Sequence, residues 1–511
     1  MKILIAPQYD NIGKNDANRW HVDEIILPSE SENWNLPNAK NELILYVPTI
    51  INSEVAIEYD GVELAIKLYM AALREKRQNI KIVLMGVESR ESFLLNYRYP
   101  NVLKCPGFDY ILLSLNAVVD YTAFSTDINV EQALLALKDV GIGLPESYVS
   151  NHSFINEWCA FSWSKYMGFS CDKLAKTLDS TLYFDYLRTL QYHKEIRISD
   201  EKKADIKALK GKILLIDDNE HWHEFFTNFF GENKSKASFM AIGKDFKNKK
   251  AEEIITECLE TVTSFTPDII LLDFRLLEDK DYNANSRANI SGVQVLRALK
   301  GTADKPGKAY GTKIIMFTAT GKIENIFSLQ KFGSDGFIFK DSPEQYVGKP
   351  PLKESISRMI RLLDDMQKCA ILSKEICNSL KKCENIACKY SEDFCSQIKH
   401  IADMVRILLQ GDFREFQKLK HIYLECFGIL EAIKRQKESK TSTTINDFIQ
   451  GHTTELDEWN NINNIRNALA HGGKIKDING RKDIDPDEDL VVDYLIKLCN
   501  FNEHFLDKVM K

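Results

Sequence analysis

The sequence lacks long apolar segments. None of its apolar runs reaches the roughly 18 residues that a membrane-spanning helix requires. The apolar run after Lys2 stops at Pro7, which is too short for the apolar core of a secretory signal peptide and instead predicts a first β-strand. We therefore expect no contact with a membrane.

The sequence also lacks the cysteine pattern of a disulfide framework or of a zinc site. Its 11 cysteines are odd in number and scattered, and no CxxC pair occurs. Five of them lie between Cys369 and Cys395, at spacings that fit helix faces better than a tetrahedral metal site. This pattern predicts reduced thiols in a cytoplasmic protein.

There is no excess of positive charge. The 67 lysines and arginines are outnumbered by 74 aspartates and glutamates, which gives a net charge of −7. Broad, unspecific binding to nucleic acid is therefore disfavoured, although a local basic patch stays compatible with the composition. No compact helix-turn-helix unit is visible, which disfavours a transcription factor.

Changes in apolar periodicity divide the chain. Short runs rich in Ile, Val and Leu at 2–6, 42–47 and 81–85 are typical of buried parallel strands, and this pattern returns after 210. Beyond Pro351 the pattern predicts long amphipathic helices, over 352–382, 391–409, 413–437, 453–470 and 488–510. The predicted parts are an α/β domain over 1–110, a helical connector over 111–210, a second α/β domain over 211–345, a linker helix over 352–384 and an all-α helical bundle over 385–511.

Four strand-like segments of the second α/β domain each end in charged or hydroxyl side chains that can take part in a reaction. KILLIDD ends in Asp217 and Asp218, PDIILLDFRL carries Asp273, KIIMFTATG carries Thr318, and DGFIFKD carries Lys340. The carboxyl ends of parallel strands meet at one edge of a doubly wound sheet, so we expect these five side chains to converge. Three carboxylates form a hard oxygen site suited to Mg²⁺, and one of them can attack phosphorus to give an aspartyl-phosphate.

Residues 212–341 resemble the receiver family of two-component response regulators. By this resemblance, Asp217 and Asp218 match the acidic pair, Asp273 the phosphoacceptor, Thr318 the switch hydroxyl and Lys340 the lysine that contacts the phosphoryl group. The resemblance implies a flavodoxin-like fold, a Mg²⁺ cofactor and a role in a phosphorelay. The phosphoryl group would come from a histidine kinase or a phosphotransfer protein.

Further positions extend the resemblance or depart from it. The backbone carbonyl of Arg275 would contact the metal, Phe337 stands where the family often has a switch aromatic residue, and Gly292 matches the glycine that opens a helix. Two features differ from the family. The loop 276–289 before that helix is unusually long, and Asp341 stands where proline is common.

The N-terminal α/β domain repeats this pattern without its acids. KILIAPQ at 2–8 matches KILLIDD at 212–218, with Pro7 and Gln8 in place of the two aspartates, and KIVLMG matches KIIMFT with Gly86 in place of Thr318. The intervening strand ELILYV ends without an aspartate. We expect a second, degenerate copy of the receiver fold that neither binds Mg²⁺ nor accepts a phosphoryl group.

Arg466 and His471 delimit the segment RNALAH, which two glycines follow. Such a motif at the end of a late helix resembles the HEPN family, many of whose members are metal-independent ribonucleases that pair two copies of the motif across a dimer. The resemblance implies RNA as substrate, a homodimer as the working unit, His471 as the acid or base and Arg466 as the phosphate clamp. Five helical residues correspond to about 140° of rotation, so both side chains share a cleft only if the helix ends at His471.

Two functional hypotheses remain open from the sequence. In the first, phosphorylation of Asp273 rearranges the bundle so that Arg466 and His471 cleave RNA as a metal-independent endoribonuclease. In the second, the protein is a non-enzymatic signalling relay or scaffold, and the bundle serves dimerisation or partner binding.

Overall fold

The computed structural model describes residues 1–7, 12–31, 36–37, 42–51, 60–96, 99–119, 121, 128–143, 151–170, 182–192, 198–277, 281, 287–301, 309, 311–318, 329–330, 332–340, 351–438, 444–471, 475–476, 483–484 and 488–510. The chain forms two compact units. The first comprises Met1–Arg197 with Ser342–Pro350, and the second comprises Ile198–Asp341 with Pro351–Lys511.

The described part of the first unit contains a five-stranded parallel sheet. Its strands are β1 (Lys2–Ile5), β2 (Glu24–Ile26), β3 (Leu43–Pro48), β4 (Ile80–Gly86) and β5 (Phe108–Leu112), in the order β2-β1-β3-β4-β5. Both central strands β3 and β4 are buried throughout, as their apolar composition requires. The helices are α1 (Ala17–Trp20), α2 (Pro28–Ser31), α3 (Asp60–Arg74), α4 (Arg90–Asn96), α5 (Leu115–Val119), α6 (Val130–Asp139), α7 (Asn151–Met167) and α8 (Leu182–Tyr192).

The second unit begins with a sheet of the same topology. Strands β6 (Lys212–Ile216), β7 (Ser238–Ile242), β8 (Ile269–Asp273), β9 (Lys313–Thr318) and β10 (Gly336–Phe339) are parallel, in the order β10-β9-β8-β6-β7. Helices α9 (Asp200–Ala208), α10 (Glu220–Glu232), α11 (Ala251–Phe265) and α12 (Ser291–Lys300) belong to this part. The predicted doubly wound, flavodoxin-like fold is thus confirmed in two copies.

Three strands have no counterpart among the predicted ones. Strands β2, β5 and β7 all lie at sheet edges. β7 is only partly buried, and β2 has three residues, so neither gives the apolar run that identifies a buried strand. The charged segment after Ser199, which lies in the predicted helical connector, is helix α9, whose first turn Ser199 caps.

The C-terminal part of the second unit is helical, as predicted. It consists of α13 (Pro351–Tyr390), α14 (Glu392–Leu408), α15 (Phe416–Lys437), α16 (Ile445–His452), α17 (Leu456–His471) and α18 (Glu488–Met510), with a two-residue β-bridge pair, β11 (Ile475–Lys476) and β12 (Asp483–Ile484). The sequence analysis did not predict α16. The linker helix predicted to end at 384 continues to Tyr390 without interruption, and from Cys369 onward it contributes to the core of the bundle.

One pair of cysteines departs from the prediction of free thiols. Cys388, near the end of α13, forms a disulfide with Cys395 in α14, because the turn between these helices brings their Cα atoms to 4.4 Å. Eight other described cysteines are free and buried. Among the described residues, no helix combines the length and apolar character that crossing a bilayer requires.

Candidate functional site

Four strands of the second sheet bring the predicted residues to one edge. Asp217 follows β6, Asp273 ends β8, Thr318 ends β9, and Lys340 follows β10. Since β6 and β8 are hydrogen-bonded neighbours in the sheet, as are β8, β9 and β10, all four ends open into one crevice. Pairing of Asp273 with Phe317 fixes the height of the carboxylate relative to β9.

Lys340 connects the acidic residues. Its Nζ lies 3.0 Å from Oδ2 of Asp217 and 2.8 Å from Oδ1 of Asp273, and its side chain is fully buried. The backbone N–H of Lys340 donates to the carbonyl of Thr318 at 2.8 Å, which ties β10 to the end of β9. The site is therefore a buried ion triad of one ammonium and two carboxylates.

An aromatic wall covers the ammonium of Lys340. Its Nζ lies 4.6 Å from the ring centre of Phe317 and 5.4 Å from that of Trp222. The two rings meet edge to face at 4.6 Å, and they continue into the phenylalanines of α10. Trp222 was not among the predicted site residues, although its place four residues after Asp218, on a helix rich in phenylalanine, was an available signal.

The carboxylates carry raised pKa values. Burial, and then the charges of Asp217 and Asp273, raise the pKa of Asp218 to about 8. Burial raises the pKa of Asp273 to about 6, although Lys340 opposes the shift. The main cause of both shifts is desolvation rather than repulsion between the carboxylates.

The residues after Asp273 hold its carboxylate from the other side. The backbone N–H of Arg275 donates to Oδ2 of Asp273 at 2.9 Å. Gly292 opens α12 directly against this turn, since a Cβ there would lie 2.2 Å from the carbonyl oxygen of Asp273. Only glycine allows that approach without moving the backbone.

A buried aspartate that the sequence analysis missed closes the long loop. Asp281 accepts hydrogen bonds from the backbone N–H groups of Leu277 (3.2 Å) and Ser291 (2.9 Å), and the Ser291 hydroxyl donates to it as well. The loop is thus anchored where α12 begins. Most of its residues, like Asp341, lie outside the described residues.

The donor set fits a hard divalent cation in kind. Asp217, Asp218, Asp273 and the carbonyl of Arg275 are oxygen donors of the type that Mg²⁺ prefers. The raised pKa of Asp218 indicates negative charge that Lys340 alone does not balance. The described residues nevertheless contain no three acidic, His or Cys side chains already arranged around one point, because Lys340 bonds to two of these carboxylates. A cation would have to compete with that ammonium.

At the corresponding edge of the first sheet, the described positions that match Asp273 and Thr318 hold Pro48 and Gly86. A Cβ on Gly61, which opens α3, would lie 1.8 Å from the carbonyl oxygen of Pro48, as Gly292 does beside Asp273. Pro48 pairs with the residue before Gly86, just as Asp273 pairs with the residue before Thr318. Proline therefore stands in the place of Asp273.

The pairing of β1 shifts the alignment of its motif by one residue. Lys2 pairs with Ile44 of β3, whereas in the second sheet it is Ile213, not Lys212, that pairs with the equivalent Ile269. The hydrogen-bond register, rather than the best match of apolar residues in the sequence, determines which residues of the two sheets are equivalent. Ala6 and Pro7, instead of Pro7 and Gln8, are then the counterparts of the two aspartates, and Gln8 itself lies outside the described residues.

In the first sheet a tyrosine fills the place that the Thr318 side chain takes in the second sheet. A Cβ on Gly86 would lie 1.7 Å from the hydroxyl oxygen of Tyr110, so that ring occupies the space where the Thr318 side chain stands in the other sheet. The Tyr110 hydroxyl donates to the carbonyl of Glu88 at 2.9 Å. Phe337, which holds the same register position as Tyr110, is half-buried and stacks on Phe339.

In the bundle, α17 ends at His471, as predicted, and starts at Leu456. Trp459, Ile462 and Ile465 of this helix are buried, but Leu456 is 43% exposed because it lies at the first turn. Trp459 stacks on Phe427 of α15 and on Phe501 of α18. The buried face of α17 therefore packs against α15 and α18.

The two functional candidates of the RNALAH motif, Arg466 and His471, do not contact each other in the structure. Among the described residues, Arg466 contacts the Phe427 ring (5.3 Å), Glu431 (4.0 Å) and the Asn467 side chain (3.0 Å). His471 is exposed at the last position of α17. The two glycines that follow lie outside the described residues.

Comparison with known proteins gives structural neighbours only. No protein-family model and no curated protein matches the chain. Solved structures similar to part of it include the signal receiver domain of a protein described as a Luxo repressor from Vibrio parahaemolyticus (17% identity, TM-score 0.20, 30% of this chain and 94% of that one). Others are the receiver domain of the Francisella response regulator 1452 (18%, 0.18, 29% and 99%) and a LuxR-family two-component response regulator from an Aurantimonas species (16%, 0.19, 29% and 97%). These neighbours are response regulator receiver domains, and they cover about 30% of the chain.

Proposed function

We propose that the chain is a response regulator of a phosphorelay, phosphorylated on Asp273, whose receiver domain controls the C-terminal helical bundle. The observation that carries the proposal is the bridge from Lys340 Nζ to Asp217 and Asp273 at the carboxyl ends of three strands. A buried ammonium between two carboxylates is costly to maintain for stability alone, and it suits the stabilisation of an incoming phosphoryl group.

The reaction follows from this arrangement. A carboxylate oxygen of Asp273 attacks the phosphorus of the donor, the phosphorus–nitrogen bond to the donor's histidine breaks, and the imidazole keeps the electron pair. Mg²⁺, held by Asp217, Asp218, Asp273 and the Arg275 carbonyl, would offset the charge that gathers on the phosphoryl oxygens. Lys340 then pairs with the phosphoryl group, and the Thr318 hydroxyl donates to one of its oxygens.

A phosphodonor experiment tests the proposal. The full-length protein is incubated with acetyl phosphate and Mg²⁺, and the adduct is mapped by mass spectrometry. We expect a single adduct on Asp273 that requires Mg²⁺ and is lost in Asp273→Asn. Asp205→Asn, which changes an exposed aspartate of α9, is the matched control and should keep the adduct. A Mg²⁺-independent adduct, or one that survives Asp273→Asn, would contradict the proposal.

A second candidate function is RNA cleavage by the bundle. The observation that favours it is the exposure of His471 at the end of α17 together with the surface position of Arg466. Metal-independent cleavage would need a homodimer in which two such pairs line one cleft. The alternative is a scaffold whose bundle serves dimerisation or partner binding.

Labelled RNA separates these alternatives. Cleavage is followed with and without acetyl phosphate for the wild type, for His471→Ala and for the control His421→Ala, which removes an exposed histidine of α15. A ribonuclease loses at least about 100-fold in rate with His471→Ala and keeps its rate with His421→Ala. Intact RNA with the wild type in both phosphorylation states would favour the scaffold.

A further inference from the structure

The end of the second sheet opposite Asp273 holds a buried polar connection to the helical bundle. We call it the basal joint, and it consists of Lys300, Lys313 and Asp335 from the α/β part and of Leu409, Gly411 and Phe413 from the bundle. The side chain of Asp335 is fully buried and that of Lys313 is 2% exposed. Charged groups so far from water must have defined partners.

Asp335 and Lys313 find those partners across the joint. The backbone N–H of Gly411 donates to Oδ1 of Asp335 at 2.8 Å. Lys313 Nζ donates to the carbonyl oxygens of Leu409 and Gly411, the latter at 2.9 Å, and it lies 4.6 Å from the ring centre of Phe413. The bundle thus supplies most of what satisfies the ammonium.

The remaining partners of Asp335 belong to the α/β part. Lys300 Nζ lies 2.6 Å from its Oδ2, and the backbone N–H of Ile314 donates to the same oxygen at 2.7 Å. Lys313 is farther away, at 3.6 Å. Asp335 is therefore satisfied largely without the bundle, whereas Lys313 depends on it.

Each of the three charged residues of the joint sits on an element that reaches the phosphoacceptor site. Lys313 begins β9, which ends at Thr318, and Asp335 precedes β10, which Lys340 follows. Lys300 ends α12, whose first turn packs against the Asp273 carbonyl through Gly292. These elements are rigid and about 15 Å long, so a shift at one end reaches the other.

The bundle partners of Lys313 are neutral backbone groups, which water can replace. In the docked arrangement the ammonium bonds to two carbonyls, and in an undocked arrangement it bonds to solvent. Two such arrangements of similar free energy are what a switch requires. The salt bridge between Lys374 of α13 and Asp268 (2.5 Å) also links the bundle to this end of the sheet, but both side chains are partly exposed, so separation leaves neither charge buried and unpaired.

We propose that the basal joint couples the loading of Asp273 to the docking of the helical bundle, with Lys313 as the residue that carries the coupling. Loading draws Thr318 and Lys340 towards the phosphoryl group. β9 and β10 transmit this movement to Lys313 and Asp335, which changes their contacts with Leu409 and Gly411. The inference rests on the proposed phosphorylation of Asp273.

Hydrogen exchange of two backbone amides in the full-length chain tests the inference. The Arg275 amide bonds to Asp273 and reports loading, and the Gly411 amide bonds to Asp335 and reports the joint. Exchange is measured with Mg²⁺ alone and with Mg²⁺ plus beryllium trifluoride, an analogue of the phosphoryl group. In the wild type we expect both amides to respond, and Gly411 by about 5-fold or more, the usual lower range for coupled sites.

Variants then assign the coupling to its residue. In Lys313→Met the Gly411 amide should exchange rapidly in both states and lose its response, while the Arg275 amide still responds. The matched control is Lys212→Met. Lys212 also lies at the base of the sheet, but among the described residues its Nζ bonds to Phe265 and Thr266 of the α/β part rather than to the bundle, so the response should persist. If Lys313→Met does not fold, Lys313→Arg should weaken the response through its different geometry.

The possible outcomes distinguish a failure of the coupling from a failure of the proposed phosphorylation of Asp273. A wild-type response at Arg275 with none at Gly411 would overturn the coupling and leave the phosphorylation proposal intact. No response at either amide would overturn both. A full Gly411 response in a folded Lys313 variant would show that the coupling runs elsewhere.

Discussion

The two parallel sheets share their strand order but differ at the carboxyl ends of their strands. In the second sheet those ends carry Asp217, Asp273, Thr318 and Lys340, all buried. In the first sheet the equivalent of Asp273 is Pro48, and a tyrosine ring fills the space beside Gly86. The matching strands β4 and β9 are both apolar and buried throughout. The fold thus depends on the strand interiors, and the chemistry depends on the residues that follow them.

This comparison also shows how each sheet meets its own requirement at that edge. The second sheet contains charges that must be paired with one another, and burial there raises the pKa of Asp273 and Asp218. The first sheet replaces charge with close packing, since Tyr110 is 8% exposed and bonds to the Glu88 carbonyl. A change at this edge should therefore act through electrostatics in one sheet and through packing in the other.

The largest effect is expected from the central ammonium of the second sheet. Lys340→Met leaves Asp217 and Asp273 buried without their cation, which should lower the free energy of unfolding by about 3–5 kcal/mol at pH 8. The loss should shrink towards pH 5, because both carboxyls can then take up protons. Chemical denaturation across this pH range measures it.

The control for this prediction is Lys212→Met at the base of the same sheet, which should change stability by no more than about 0.5 kcal/mol. A Lys340→Met variant as stable as the control would show that the ion triad is not buried as described. The variant should also fail to form the adduct with acetyl phosphate.

A smaller effect is expected from the first sheet. Gly86→Ala places a Cβ where the Tyr110 hydroxyl lies, so the ring must move, and overpacking of this kind costs about 1–3 kcal/mol. Thermal denaturation measures the loss. Because the cause is steric, combining Gly86→Ala with Tyr110→Leu should recover much of it, as a double-mutant cycle detects. Additive losses would mean that the two residues do not compete for one space.

Much of the second sheet could be predicted from the sequence because its strand ends carry charged residues next to purely apolar runs. Asp217, Asp273 and Lys340 lie together, as their positions at strand ends implied. The edge strand β7 was not predicted, because a partly exposed strand has no continuous apolar run. The disulfide between Cys388 and Cys395 was not predicted, because it depends on the turn between α13 and α14, which the spacing of the cysteines alone does not reveal.

Other features depend on contacts between segments that are distant in the sequence. Asp335 precedes a strand, and nothing local indicates that Gly411 bonds to it. Asp281 lies within a long polar loop, and in the sequence it cannot be distinguished from a solvated loop residue. In the structure it is buried and accepts hydrogen bonds from Leu277 and Ser291. The dominance of burial over repulsion in the pKa values likewise follows from the depth of the site, which composition does not give.

The smallest effect concerns Asp218 in the metal-free protein. Its folded pKa of about 8 lies above the unfolded value of 3.8, so between about pH 4 and pH 8 the folded state keeps a proton that the unfolded state releases. Stability should therefore fall as pH rises through this window. Asp218→Asn removes that dependence and should raise the free energy of unfolding at pH 8 by about 1.4 kcal/mol or more, the equivalent of one pKa unit.

Added Mg²⁺ should reverse the order of stability of the wild type and Asp218→Asn, because the cation binds the ionised carboxylate. Melting curves in a chelator and in Mg²⁺ measure both effects, and Glu24→Gln on edge strand β2 of the first sheet, an exposed acid, is the control that should change neither. Parallel pH profiles for the wild type and Asp218→Asn in the chelator would mean that Asp218 titrates as an isolated aspartate, and the second sheet would then lack the charge cluster that distinguishes it from the first.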